Sequence, residues 1–258
     1  MSQEGAEEEF DARLAEMGIR VKDANLFKVR ENVFDEVTLL ALYKLVHKKW
    51  FSVIGGSIST GKEANVFYGE REETPVAIKI YRIQSANFTT MSSYITGDRR
   101  FTHVKKSRKD LIFAWTRKEF SNLVRAREAG VAVPEPLVWD RNILIMSFLG
   151  DGECPYPQIR NVALSDPARE YETIIGAIDT LYKKAELVHG DLSEFNILYG
   201  DKPYLIDMGQ SVTRDHPRAL QFLMRDIRNI NRFFQKKCDV KTEYEIFNAV
   251  TGLHVAEP

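Results

Sequence analysis

Residues 187–211 read "LVHGDLSEFNILYGDKPYLIDMGQS", and the fold turns on how this stretch is understood. It holds Asp191, then Asn196 five residues later, then the apolar pair Ile197-Leu198. A turn-forming "YGDKP" follows, and a second apolar run ends at Asp207-Met208-Gly209. Asp191 falls on a loop, where a carboxylate can accept the proton of an incoming hydroxyl. Asn196 and Asp207 are hard oxygen donors, suited to an Mg²⁺ held by a few protein oxygens plus phosphates. Gly209 lets the chain turn tightly after the second aspartate. Each residue alone has an ordinary explanation: Asp191 capping a turn, Asn196 within one, Asp207 ending a strand. Their joint order, with a lysine and a glutamate upstream, favours one shared site.

The upstream partner is "GGSISTGKEANVF", residues 55–67. Gly56, Gly61 and Lys62 nearly spell the phosphate loop G-x-x-x-x-G-K-[ST], but Glu63 stands where a hydroxyl is required. A Walker loop must also run into a helix, whose N-terminus helps hold the phosphates. This one runs into "NVFYGE", which is hairpin sequence. The other solution is the glycine-rich flap of protein kinases, which covers the phosphates. Ser59, Gly61 and Ala64 then stand at its three glycine positions, followed by Val66. "VAIKIY" places Lys79 in an apolar strand, close to V-A-I-K, on the strand face of Ala77 and Tyr81. Its role would be to hold the α- and β-phosphates and pair with a helix glutamate. Glu119 is the central acid of the helical stretch 110–130, with Asp110 as cap and Gly130 as stop. The bland alternatives are a plain hairpin turn, an outward-facing lysine and a surface glutamate. H-x-D-x-x-x-x-N followed by D-x-G is the arrangement of kinase-type sites.

The remaining periodicity supplies a frame. "DEVTLLALYKLVHKKW" (35–50) predicts an amphipathic helix with Leu39, Leu42, Tyr43 and Val46 on its apolar face. Residues 84–109 predict a long polar loop whose end, "RRFTHVKKSRK", carries six Lys or Arg and no acid. Residues 131–150 predict a hairpin with "DRN" at its turn. In a kinase its second strand ends at the hinge, so Met146, Ser147 and Leu149 would contact adenine. "GDGECPYP" then marks a boundary. "PAREYETIIGAIDTLYKKAEL" predicts a strongly amphipathic helix, and "TRDHPRALQFLMRDIRNINRFFQ" another, with Pro217 in its first turn. Three regions are therefore expected: an N-terminal helical extension at 1–50, an N-lobe at 51–148 and a reduced C-lobe at 149–258.

Composition is that of an ordinary globular chain: 258 residues, 44% hydrophobic, 28% charged, formal net charge −1. The acidic "EGAEEEFD" near the start reads as a solvated terminus. Cys154 and Cys238 form neither a disulfide framework nor metal-ligand spacing, so a reducing cytoplasm is the default expectation. No apolar run approaches 18 residues and no signal peptide is visible, so no membrane partner is expected. His47, His103, His216 and His254 show no ligand spacing and read as surface or helix-end residues.

"STGKEANVF", "HGDLSEFNIL", "IDMGQSV" and "DHPRALQFLMRDI" resemble the RIO family of atypical protein kinases, with "STGKEA" and "IDMGQSV" resembling its type-1 branch. The resemblance covers roughly residues 35–240. It implies an α+β, bilobal protein-kinase-like fold: an antiparallel N-lobe sheet plus one helix, a mainly helical reduced C-lobe, and N-terminal helices. It implies ATP and Mg²⁺ as cofactors, with Mn²⁺ as the alternative metal. It further implies autophosphorylation or ATP hydrolysis, and a role with the small ribosomal subunit precursor and its rRNA. A family-derived variant has Asp207 itself accept the phosphoryl group. A monomer is the default oligomeric expectation. Departures from conventional kinases point the same way: His189-Gly190-Asp191 lacks the arginine of H-R-D, and no A-P-E follows Asp207. Two other readings stay open. "HGD" with the downstream Asn also resembles aminoglycoside and choline kinases, although those need a larger C-terminal region. A ribosome-assembly binding module could use ATP only as a conformational switch.

Overall fold

Asp35 begins the first described long helix by capping it. Its carboxylate accepts the Thr38 N–H at 2.9 Å and the Thr38 hydroxyl at 2.8 Å. The computed structural model describes residues 12–22, 33–84, 88–101, 104 and 107–256. The acidic stretch at the start and His103 lie outside them, as does part of the basic run. By contact the chain divides into two compact units: residues 1–89, 104–117 and 136–155, and residues 90–103, 118–135 and 156–258.

The first unit is built on a six-stranded sheet. Its strands are β1 (Arg20–Val21), β2 (Val53–Thr60), β3 (Ala64–Arg71), β4 (Thr74–Tyr81), β5 (Pro136–Asp140) and β6 (Ile143–Ser147), in the order β1-β2-β3-β4-β6-β5. All pairings are antiparallel except β1 with β2, which is parallel. The turn from β3 to β4 places Glu72 and Glu73 at φ 48° and 66°, the left-handed pair that matches the twist of a tight hairpin. Helix α1 (Glu36–His47) packs Leu39, Leu42 and Leu45 into a core with Ile54, Phe67, Ile78, Ile80, Ile143 and Ile145. Tyr43 is 45% exposed and Leu45 is buried, so the apolar stripe is rotated from the expected one. Buried Asn142 ties α1 to the sheet: its Nδ2 donates to Thr38 Oγ1 at 2.8 Å and to the Tyr81 carbonyl at 2.9 Å. Residues 131–135 precede β5 as irregular chain rather than strand.

The expected polar loop 84–109 contains helix α2 (Phe88–Ile95), in which Met91, Tyr94 and Ile95 are buried, and a 3₁₀ turn at Arg99–Phe101. Aromatic and aliphatic side chains at helical spacing override the polar residues between them. Helix α3 (Arg108–Glu128) is capped by Ser107, whose Oγ accepts the Asp110 N–H at 3.2 Å. Asp110 is thus in the first turn rather than the cap. Gly130 at φ 89° ends the helix region as expected.

The second unit carries α4 (Pro167–Lys183), α5 (Ala219–Phe234) and α6 (Glu243–Thr251). Tyr171, Ile174, Ile175, Ile178 and Leu181 bury one face of α4. Tyr171 also donates its hydroxyl to Asn231 on α5 at 2.9 Å. Arg218 is the cap of α5, so Pro217 lies just before the helix. Three small two-stranded ribbons complete the chain. They pair β7 (Gly150–Asp151) with β8 (Cys154–Pro155), β9 (Leu187–Val188) with β12 (Val212–Thr213), and β10 (Ile197–Tyr199) with β11 (Pro203–Leu205).

Candidate active site

The backbone of residues 187–213 explains why its functional side chains meet. In the β10–β11 hairpin Ile197 faces Leu205 and Tyr199 faces Pro203. One step beyond the last pair, the Ile206 N–H donates to the Asn196 carbonyl at 3.0 Å. Asn196 and Asp207 therefore leave the same end of one hairpin. The outer ends are stapled too, since Val188 pairs with Val212 and Leu187 with Thr213. The loop carrying Asp191 and the loop carrying Asp207 are closed by main-chain ladders on both sides.

Within this frame Asn196 Nδ2 donates to the Asp191 carbonyl at 2.8 Å and to Asp191 Oδ2 at 3.4 Å. Gln210 Nε2 donates to Asp191 Oδ2 at 3.1 Å. Burial, then the nearby Asp207 charge, raises the Asp191 pKa above the ordinary aspartate value, which strengthens it as a base. With its nitrogen engaged, Asn196 offers its amide oxygen to a cation. Asp207 adopts the left-handed conformation, φ 65° and ψ 54°, at a cost of about 1–3 kcal/mol when imposed on a residue with a side chain. Gly190 has φ 81°, and a Cβ there would lie 2.9 Å from the Gln210 carbonyl oxygen. The arginine of H-R-D has no room in this loop.

His189 is buried between two backbone groups. Its Nε2 lies 3.0 Å from the Ile206 carbonyl and its Nδ1 accepts the Asp191 N–H at 3.3 Å. These partners select the neutral Nε2–H tautomer, and burial lowers its pKa to about 4. It braces both loops.

Helix α5 supplies the residues that sequence reading missed. Asp226 accepts the Gly190 N–H at 2.7 Å and the Leu192 N–H at 2.9 Å. Arg225 donates to the Gly190 carbonyl and Asn229 to the Leu192 carbonyl. Burial raises the Asp226 pKa to about 7. The available signal was an aspartate on the buried face of α5, among Phe222, Leu223, Ile227 and Ile230. His216, expected at the surface or at a helix end, lies just before α5, is 5% exposed, and has its Nε2 3.1 Å from the Thr96 carbonyl. Arg100 of the basic run is likewise turned inward, onto buried Asp98 at 2.7 Å.

The nucleotide-loop residues lie in the first unit. Ser59 faces Val66 across the β2–β3 hairpin, and the Gly61 N–H donates to the Ala64 carbonyl at 2.9 Å. Ser59, Gly61 and Lys62 are exposed. Lys79 on β4 faces Val66 on one side and Leu144 on the other and is 7% exposed. Its Nζ lies 5.2 Å from the centroid of the Tyr81 ring. Met146 and Ser147 end β6 opposite Ala77 and Val76, and Leu149 follows after Phe148. Glu119 is 1% exposed on α3 and belongs to the second unit. Among the described residues no group of three or more His, Cys, Asp or Glu could hold a metal by itself. The donor set of one carboxamide oxygen and aspartate fits a hard ion shared with phosphates.

A buried strand lysine after the β2–β3 hairpin in the first unit, and Asp, Asn and Asp on two stapled loops in the second, are each features of a protein-kinase-like phosphotransfer protein. A RIO-domain family model matches residues 65–247. The chain is 41% identical over 244 residues to the RIO-type serine/threonine-protein kinase Rio1 of Haloferax volcanii, covering 94% of this chain and 84% of that protein. It is 39% identical to the human serine/threonine-protein kinase RIO1, covering 90% of this chain and 44% of that one, so it spans less than half of the human relative. Among solved structures it resembles the Rio2 kinase–ADP/Mg²⁺–phosphoaspartate complex of Chaetomium thermophilum. The TM-score is 0.68 at 27% identity, over 85% of this chain and 67% of that one. The chain belongs to the RIO family, in its Rio1 branch. It is an atypical, ATP-dependent serine/threonine protein kinase with the α+β fold of that class.

Proposed function

We propose that Asp191 is the general base of this kinase, that Asn196 and Asp207 hold Mg²⁺, and that Lys79 holds the α- and β-phosphates. Ser59, Gly61, Ala64 and Val66 cover the phosphates, Met146, Ser147 and Leu149 meet adenine, and Glu119 orients Lys79. When bound, Mg²⁺ neutralises charge developing on the phosphates. Asp191 takes the proton of the attacking hydroxyl or water as the new P–O bond forms and the bond to the ADP leaving oxygen breaks. The observation that carries this reading is the Ile206-to-Asn196 bond at the mouth of the β10–β11 hairpin, which sets both metal donors side by side next to Asp191. The kinase acts by autophosphorylation and ATP hydrolysis during maturation of the small ribosomal subunit, in the cytoplasm. Among the described residues no helix is long and apolar enough to cross a membrane.

γ-Labelled ATP tests this directly. Asp191→Ala is expected to lose about 10²–10⁴ in phosphate release and self-labelling. Turnover within a few-fold of wild type would remove Asp191 from the chemistry. Asp207→Ala should lose most of its turnover, and the residual turnover should need far more Mg²⁺ than wild type.

A second reading is favoured by the phosphoaspartate named for the Chaetomium Rio2 complex. Here an Asp207 carboxylate oxygen attacks the γ-phosphorus, ADP departs, and the resulting acyl phosphate is later cleaved by water. Label trapped on the enzyme should then be released by hydroxylamine. Hydroxylamine-stable label places it on Ser or Thr.

A further inference from the structure

We propose that Lys118 and Asn122 on α3 are positioning residues for Asp207, clamping the main chain that follows it so that its carboxylate is presented to the metal. This rests on the reading of Asp207 as a metal donor.

Lys118 Nζ donates to the Gly209 carbonyl at 2.9 Å and also to the Ser211 carbonyl. One helical turn on, Asn122 Nδ2 donates to the Met208 carbonyl at 2.8 Å and the Ser211 carbonyl at 2.9 Å. Three carbonyls within four residues of Asp207 are thus taken up by one helix face. Both side chains are wholly buried. The amide of Asn122 is held in this orientation by Arg100, whose Nη2 donates to its Oδ1 at 2.9 Å. Arg100 is itself fixed on Asp98 through Nε at 2.9 Å and Nη2 at 2.7 Å. Before Asp207, His189 and Asn196 hold the carbonyl and N–H of Ile206. Asp207, in its left-handed conformation, is therefore gripped on both sides. A buried ammonium is a poor choice for stability alone, because a well-packed apolar side chain of similar volume often serves as well or better. Here it donates to carbonyl oxygens that would otherwise be buried without a donor, just after a strained aspartate. Outer partners of metal donors typically control affinity or activity by about 10–100-fold.

The test uses the full chain with Lys118→Met, Lys118→Arg and Asn122→Leu. Phosphate release is measured against free Mg²⁺ at saturating ATP, beside thermal melting and ATP binding in EDTA. Lys118→Met and Asn122→Leu are expected to raise the half-saturating Mg²⁺ concentration by about tenfold or more. Metal-free ATP binding should stay close to wild type, and Lys118→Arg should recover part of the loss. If Lys118→Met does not fold, Asn122→Leu decides. A folded variant with wild-type Mg²⁺ demand overturns the proposal, and so does a fall in turnover with that demand unchanged. An Asp207→Ala protein with unaltered Mg²⁺ dependence would instead overturn the metal assignment itself.

Discussion

The segment 187–213 and the loop 59–63 both combine glycine with polar side chains, yet they are built in opposite ways. The first is stapled by two ribbons and gripped from α5, and its key contacts are buried. The second projects from a hairpin with its tip exposed and is closed by the Gly61-to-Ala64 bond and by the Arg82 N–H donating to the Glu63 carbonyl at 2.9 Å. Groups that transfer protons or hold metal must keep their geometry to fractions of an ångström. A loop that covers phosphates through backbone N–H groups needs only small residues and close approach. On the proposed reading Ser59 and Ala64 can therefore stand where glycine is usual, whereas a Cβ at Gly190 would lie 2.9 Å from the Gln210 carbonyl oxygen.

Three measurements can break or sharpen this contrast. The largest effect is expected from Asp226→Ala. It leaves the Gly190 and Leu192 N–H groups buried without an acceptor, at about 1–3 kcal/mol each. Denaturant melts should show a loss of about 2–6 kcal/mol in total. Turnover should fall at least about tenfold because Asp191 is displaced. A stable Asp226→Ala protein with full turnover would mean that the catalytic loop does not depend on α5.

His189 gives the next effect, through pH. Its pKa lies near 4 in the folded chain against 6.5 for an ordinary histidine, because burial disfavours the charged ring. The lowered value means that its contribution is intact above pH 6.5 and lost as pH falls through about 4. The loss should reach up to roughly 3 kcal/mol. Urea melts of wild type at pH 7 and pH 4.5, set against His189→Gln, isolate it. An equal pH slope in both proteins would show that His189 is not held neutral.

Lys62→Ala should have the smallest effect. As an exposed loop substitution it should shift stability by no more than about 0.5 kcal/mol, and turnover by roughly twofold. A loss comparable to that of Asp191→Ala would revive the Walker-type reading of Gly56-x-x-x-x-Gly61-Lys62.

Much of this was legible from local pattern. The β2–β3 hairpin followed from "NVFYGE". The buried face of α4 followed from its i, i+3, i+4 spacing. Helix α2 was missed because threonines precede Met91 and two serines separate it from Tyr94 and Ile95, and its burial depends on distant partners such as Phe222, 5.0 Å from Tyr94 between ring centroids. The inward turn of Arg100 was missed for the same reason, since a charge run normally faces solvent.

By itself the sequence determined the identity and order of the groups to which we assign the chemistry by proposal: Lys79, Asp191, Asn196 and Asp207, at spacings set by short loops and a tight hairpin. Only the tertiary structure decided what aims them. Asp226, Lys118 and Asn122 bond main-chain groups many residues away. Any residue offers the same carbonyl or N–H to such a bond, so the partner leaves no mark on the sequence, and only folding reveals which charged side chain was buried to meet it.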